Sequence, residues 1–142
     1  MKKILIILLL GGCVVDPVEH KVLYTTRNVF NLEVEVLMYR SGQVDISYQI
    51  APKEEYAFGL GLEMGKKPPV SVVFSRVMYM DSVKIKFADG KVKTDYLEDY
   101  KATTLSSKSI YRDDFYTPEN SCGKNCSQYI YFIDEQDYAE AK

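Results

Sequence analysis

Carboxylates, cysteines and tyrosines are the residues through which this 142-residue chain could do chemistry. The acidic group is Asp95, Glu98 and Asp99, with Asp113 and Asp114 further on. Converging carboxylates bind calcium, which takes six to eight oxygen ligands. Two of them at a set separation can also act as a glycosidase acid and base. The spacing here matches no calcium loop, and nothing in it sets two carboxyls at a catalytic distance. A solvated acidic surface is the simpler reading. Nucleophilic catalysis has little to use, because His20 is the one histidine and no serine or cysteine adjoins it. Gly59 and Gly61 do not make a phosphate loop, since no GK[ST] follows them. The sequence therefore points to no catalytic residue, no metal and no cofactor.

The cysteines divide into one and two. Cys122 and Cys126, in SCGKNC, can close a small disulfide loop. A structural zinc site wants four ligands, which the surroundings do not supply. The disulfide reading places the chain in an oxidising compartment. Cys13 ends the stretch MKKILIILLLGGC, in which two lysines precede seven aliphatic residues and two glycines. That order is a secretory signal peptide. Seven aliphatic residues are too few for a membrane span, which needs roughly 20.

The sequence Leu10-Gly11-Gly12-Cys13 resembles the bacterial lipobox. The resemblance implies that the Cys13 thiol takes a diacylglyceryl group and that the chain is cut before it. Two or more acyl chains anchor stably. The expected organisation is a signal peptide at 1–12, a lipidated cysteine and tether at 13–21, and one domain at 22–142. Removing Lys2 and Lys3 takes the formal net charge from −2 to −4. An acidic balance argues against a nucleic-acid partner.

The elements that must position these residues read as strands. Twelve tyrosines and no tryptophan lean the composition towards half-buried sheet. Alternation marks strands at 22–26, 32–39, 43–50, 54–64, 82–87, 92–96 and 128–133. A β-rich run covers 70–80, and a short strand is expected at 109–116. Val92, Thr94 and Tyr96 are expected to face the core, with Lys93 and Asp95 outward. Asp89-Gly90 supplies the pair that a tight type I′ turn wants. The strand at 128–133 is apolar on both faces, which suits a central position. Asp134 can cap a helical turn over 135–140. The fold expected is all-β: an antiparallel β-sandwich of seven to eight short strands, with a partly open barrel as runner-up.

Residues 80–91 (MDSVKIKFADGK), the ending QYIYFIDEQDYAEAK and the lipobox together resemble small β-rich lipoproteins of the Bacteroidota. Those proteins bring no assigned activity. The resemblance implies a lipid-anchored envelope protein, and Val14 after the lipid cysteine, with no run of acidic residues immediately behind it, points to the outer membrane. Asp81-Ser82-Val83 matches the tripeptide at which those bacteria O-glycosylate exported proteins, which makes Ser82 a candidate acceptor. The residues that a partner would meet are Tyr96, Tyr100, Tyr111, Phe115 and Tyr116, on or beside the long connection at 97–117. Tyrosine makes a rigid anchor when exposed and simple core when buried. The expected function is a non-enzymatic binding or accessory module for a protein or glycan. The alternative is a calcium-dependent or hydrolytic module built on Asp95–Asp99 and Asp113–Asp114.

Overall fold

The computed structural model describes residues 19–64, 76–101, 107–119 and 121–142. Cys13 and the stretch 70–75 lie outside them. Among the described residues eight strands form two four-stranded sheets that pack face to face without closing into a barrel. The strands are β1 Glu19–Asn28, β2 Val34–Arg40, β3 Gln43–Ile50, β4 Glu55–Met64, β5 Ser82–Phe87, β6 Val92–Tyr96, β7 Tyr116–Glu119 and β8 Cys126–Ile133. Two short helices, α1 Leu97–Lys101 and α2 Glu135–Glu140, complete them. One sheet has the order β4-β1-β8-β7 and the other β3-β2-β5-β6.

The expected β-sandwich is the observed one, with a change in one pairing. β1 and β8 run parallel, Lys21 beside Cys126 through Asn28 beside Ile133. The other pairings are antiparallel. β8 is central, as its apolar faces require, and Tyr129, Ile130 and Tyr131 are all buried. The core between the sheets holds Val34, Val36 and Met38 of β2, Val83, Ile85 and Phe87 of β5, and Tyr24, Tyr129 and Tyr131 of the other sheet. Asn28, fully buried, ties the sheets at one end: its amide donates to the carbonyls of Leu32 at 2.7 Å and Ile50 at 3.0 Å.

Three local expectations change. Residues 76–79 form a 3-10 turn, not a strand end. The short strand expected at 109–116 sits instead at Tyr116–Glu119, after a 3-10 turn at Asp113–Phe115. β1 begins at Glu19, so His20 belongs to a strand, where its Nε2 meets Ser127 Oγ at 2.8 Å.

The two hairpins of the second sheet exchange turn types. Ser41 and Gly42 both have positive φ, at 51° and 76°, and join Arg40 to Gln43 directly. That is the two-residue type I′ geometry. Between β5 and β6 only Gly90 has positive φ, at 95°. Its N–H bonds to the Phe87 carbonyl, and the Phe87 N–H bonds to the Lys91 carbonyl. This is a three-residue loop, a turn closed by a left-handed glycine.

Candidate functional site

The extra loop residue decides what β6 buries. Lys86 pairs with Val92, so Ile85 stands beside Lys93 and Val83 beside Asp95. Ile85 and Val83 face the core, and Lys93 and Asp95 therefore face it too. Their relative exposures are 4% and 7%, while Tyr96 is 52% exposed. The expectation that Val92, Thr94 and Tyr96 point inward is reversed. Shifting a strand by one residue turns every side chain to the other face.

Two inward charges need partners, since an unpaired buried charge costs several kcal/mol. α2 and the segment after residue 106 supply them. Asp137, fully buried on α2, accepts from Lys93 Nζ and from Lys108 Nζ, each at 2.7 Å, and from the Tyr131 hydroxyl at 2.6 Å. Lys93 Nζ also donates to the Lys108 carbonyl at 2.6 Å and lies 3.2 Å from Glu140 and 3.5 Å from Asp95. The second oxygen of Asp95 accepts from the Ile110 N–H at 2.9 Å. Lys108 Nζ also reaches Asp134 at 2.9 Å and the Phe132 carbonyl. Among the described residues no buried side-chain polar atom is left without a hydrogen bond.

The helix that holds Asp137 is fixed by its own cap. Asp134 Oδ1 accepts from the N–H groups of Gln136 at 2.9 Å and Asp137 at 3.4 Å, and Asp137 Oδ2 accepts from the Asp134 N–H at 3.2 Å. This is the expected cap at Asp134. Beyond the helix, Lys142 and Val92 exchange both backbone hydrogen bonds, which seals the start of β6.

Burial and neighbours set the charge states. Burial alone would lower the Lys93 pKa, but Asp95, Asp137 and Glu140 together hold it above the ordinary lysine value. Asp95 moves up from the ordinary carboxylate range, chiefly by burial, against the pull of Lys93 and the Ile110 N–H. Burial also raises the Tyr131 hydroxyl well above its usual value, reinforced by Asp137.

An open groove of about 620 Å³ runs along the outside of this cluster. Val92, Lys93, Thr94, Asp95, Ser107 and Glu140 line it, with Tyr96 at its end. Lys142 also lines it, so that it presents an exposed lysine, the partly exposed Glu140 carboxylate, the Thr94 hydroxyl and the Tyr96 ring. Concave surfaces with a few convergent polar groups and perturbed titratable residues are where ligands are held.

The other expected site residues separate. Tyr111 and Tyr116 are buried, their hydroxyls donating to the carbonyls of Met80 at 3.0 Å and Ile110 at 2.7 Å. They are core, and cannot meet a partner. Tyr100 and Phe115 are half-buried, with Arg112 5.1 Å from the Phe115 ring. Of the acidic residues, Asp95 is committed to Lys93 and Ile110, and Asp114 pairs with Arg112 at 2.6 Å. Among the described residues no group of three or more His, Cys, Asp and Glu side chains is placed to hold a metal ion. Ser82 opens β5, half-buried, opposite Tyr39 and Tyr96. Cys122 and Cys126 form the expected disulfide, with Cα atoms 5.6 Å apart, and the Asn125 carbonyl inside it accepts from the Lys21 N–H at 2.8 Å.

Lys93, Lys108, Asp137 and Glu140 are the residues that sequence reasoning missed. Lysine and aspartate alternating on a strand read as solvent-facing. The signal was the opposite sign of Lys93 and Asp95, two apart on one face, with an acidic helix at the chain's end to cover them. Comparison with known protein families, characterised proteins and solved structures found no match to this chain.

Proposed function

We propose that this protein is a lipid-anchored envelope module that binds a glycan in the β6 groove and catalyses no reaction. The groove carries the reading. Its lining offers the exposed Lys142, the partly exposed Glu140 carboxylate and the Thr94 hydroxyl within one concave strip. Sugar hydroxyls and ring substituents pair with such groups. The buried ion pairs beneath hold the polar atoms in place before a ligand arrives, which lowers the ordering cost of binding. The lipobox-like sequence at Cys13, with the signal-peptide pattern before it, supports the anchor. The Cys122–Cys126 disulfide agrees with an exported setting.

The experiment is an amide-resolved NMR titration of the soluble domain with N-acetylglucosamine, glucosamine and glucuronic acid oligosaccharides. The expected result is saturable shifts confined to Thr94, Asp95, Ser107 and Glu140. The Thr94→Trp protein, with its groove filled and its fold intact, should lose them. Calcium added to the same sample tests the alternative, and saturable shifts at Asp95, Asp99 and Asp113 would replace this reading with it.

A further inference from the structure

Strand direction sorts the turns of the molecule onto two ends. β1 starts with Glu19 beside Met64 of β4, and Lys21 pairs with Cys126 next to the disulfide turn. The short connection at the far end of β1 leads into β2, which runs back. The Ser41-Gly42 hairpin, the entry to β5 and the exit from β6 therefore return to the end where β1 starts. The strands of face-packed sheets stay within about 30° of each other, so this end is shared by both sheets.

Exposed large apolar and aromatic side chains collect at that end. Tyr79 is 70% exposed, Tyr96 52% and Val44 49%. Tyr79 precedes Asp81, whose N–H bonds to the Tyr39 carbonyl and whose carboxylate accepts from the Ser41 N–H. Tyr96 lies opposite Ser82. Among the described residues the remaining two such side chains are elsewhere, Val29 at the opposite end and Tyr56 on the β4 flank.

We propose that this end sits on the bilayer surface, with Tyr79 and Tyr96 at the level of the lipid headgroups. The proposal rests on lipidation of Cys13. Five residues separate Cys13 from Glu19, and the six Cα–Cα steps between them span at most about 20 Å. The tether is therefore shorter than the seven-residue β2 strand, at roughly 23 Å, and it leaves from this end. The lipid holds the Tyr79–Tyr96 end against the membrane and the opposite end away from it. A tyrosine's apolar ring and polar hydroxyl suit the headgroup zone. Exposed charges of both signs lie at this end, Lys21 and Arg40 with Glu19, Glu98 and Asp99, so the contact does not need anionic lipid. A domain seated in this way leaves the groove open on its side, from Val92 to Asp95.

The chain has no tryptophan, so a single tryptophan is a clean reporter. The full lipidated protein is made as three variants, Tyr79→Trp, Tyr96→Trp and Tyr56→Trp, and reconstituted into phosphatidylcholine vesicles containing lipid brominated near the headgroup. The expected result is blue-shifted, quenched emission from the first two variants, none from the third, and no change on adding anionic lipid. Vesicle flotation reports the anchor separately. Protein that floats with all three reporters unquenched overturns the seat and leaves the anchor standing. Protein that does not float overturns the anchor and the seat together. Equal quenching of all three reporters puts the domain on its side, and a blue shift that follows protein concentration rather than brominated lipid marks a second copy of the chain. Either outcome overturns the proposal.

Discussion

The two sheets meet in two chemically different ways. Along β2 and β5 the contact is apolar, with Val36, Met38, Val83 and Ile85 all at or below 1% exposure. One strand further, the same face continues as Lys93 and Asp95, closed by Asp137, Lys108 and Glu140. The apolar part is forgiving, because each methylene contributes its own share of about 0.8 kcal/mol. The ionic part is conditional. Its charges are stable inside only while every partner is present, and the loss of one strands the rest. Position and specificity are what such a cluster can contribute, since a well-packed apolar replacement would hold the sheets as well.

The largest effect should therefore come from Asp137. Asp137→Ala leaves two buried ammonium groups without their shared carboxylate, and the expected loss is about 3–5 kcal/mol. Urea denaturation followed by circular dichroism measures it. Ile85→Ala, one register step away in the apolar part, should cost about 2–5 kcal/mol from the cavity. The two differ in what repairs them. Adding Lys93→Met, Lys108→Met and Asp95→Asn to Asp137→Leu should recover most of the stability, because no buried charge is then left without a partner. If that quadruple variant is as unstable as Asp137→Ala, the cluster is not conditional in this sense and the contrast fails.

The disulfide should matter less. The link between Cys122 and Cys126 closes a five-residue loop, for which chain entropy gives about 2 kcal/mol. The Cys122→Ser, Cys126→Ser protein should lose about that much in urea, with unchanged exposure of the cluster. A loss above about 4 kcal/mol would mean that the Lys21–Asn125 contact, and with it the start of β1, depends on the bond.

pH separates the two regions without mutation. The Lys93 pKa is raised in the folded protein, where burial is outweighed by Asp95, Asp137 and Glu140. A raised lysine contributes stability in full below its unfolded value near 10.5 and loses it as pH climbs through the folded value. The stability difference between wild type and Lys93→Met should hold from pH 7 to 10 and fall above that range, while the wild type–Ile85→Ala difference stays flat. Asp95 acts in the opposite sense. Its raised pKa means that its charged form is disfavoured in the fold, and its own cost falls as pH drops through the folded value.

The legible and illegible parts of the sequence divide at the same place. Alternation in 32–39 and 46–50 marks the apolar strands because each has a single phase of buried residues. Val44, expected inward with Ile46, Tyr48 and Ile50, is exposed past the register shift between Met38 and Tyr39. The double-sided QYIYFI gave away β8 as central, and Asp134 announced its helix through capping chemistry. β6 was misread because register there depends on one loop residue. Asp89-Gly90 satisfies the composition of a type I′ turn, yet Ser41-Gly42 adopts that turn and Gly90 takes the three-residue form. With the two-residue loop, Thr94 and Tyr96 would face inward; with three, Lys93 and Asp95 do. Local composition allows both. The choice is made by partners far along the chain, Lys108 and Asp137, and such long-range pairing leaves no local pattern. Tyr111 and Tyr116 were misplaced for the same reason, since their hydroxyls are satisfied by carbonyls of a folded segment that shows no periodicity.

Arg27 provides the smallest test, and the cleanest one of buried against exposed charge. It stands on β1 with its guanidinium 5.6 Å from the Phe132 ring of β8, donating to Glu55 of β4 at 2.6 Å and to Glu119 of β7 at 2.8 Å. One side chain thus spans all four strands of its sheet. Its side chain is 27% exposed and those of Glu55 and Glu119 are 42% and 31%, so water screens the pairs. Exposed pairs contribute about 0–1 kcal/mol, and the forked geometry puts this one near the top of that range. Arg27→Ala should therefore cost about 1 kcal/mol in low salt. In 1 M sodium chloride, where screening acts over about 3 Å, most of that difference should vanish. Asp137→Ala should keep nearly all of its effect in the same salt, because ions do not enter the closed side of β6. If salt erases both differences equally, the Lys93–Asp137 cluster is wet rather than sealed, and its rigidity as the floor of the groove goes with it.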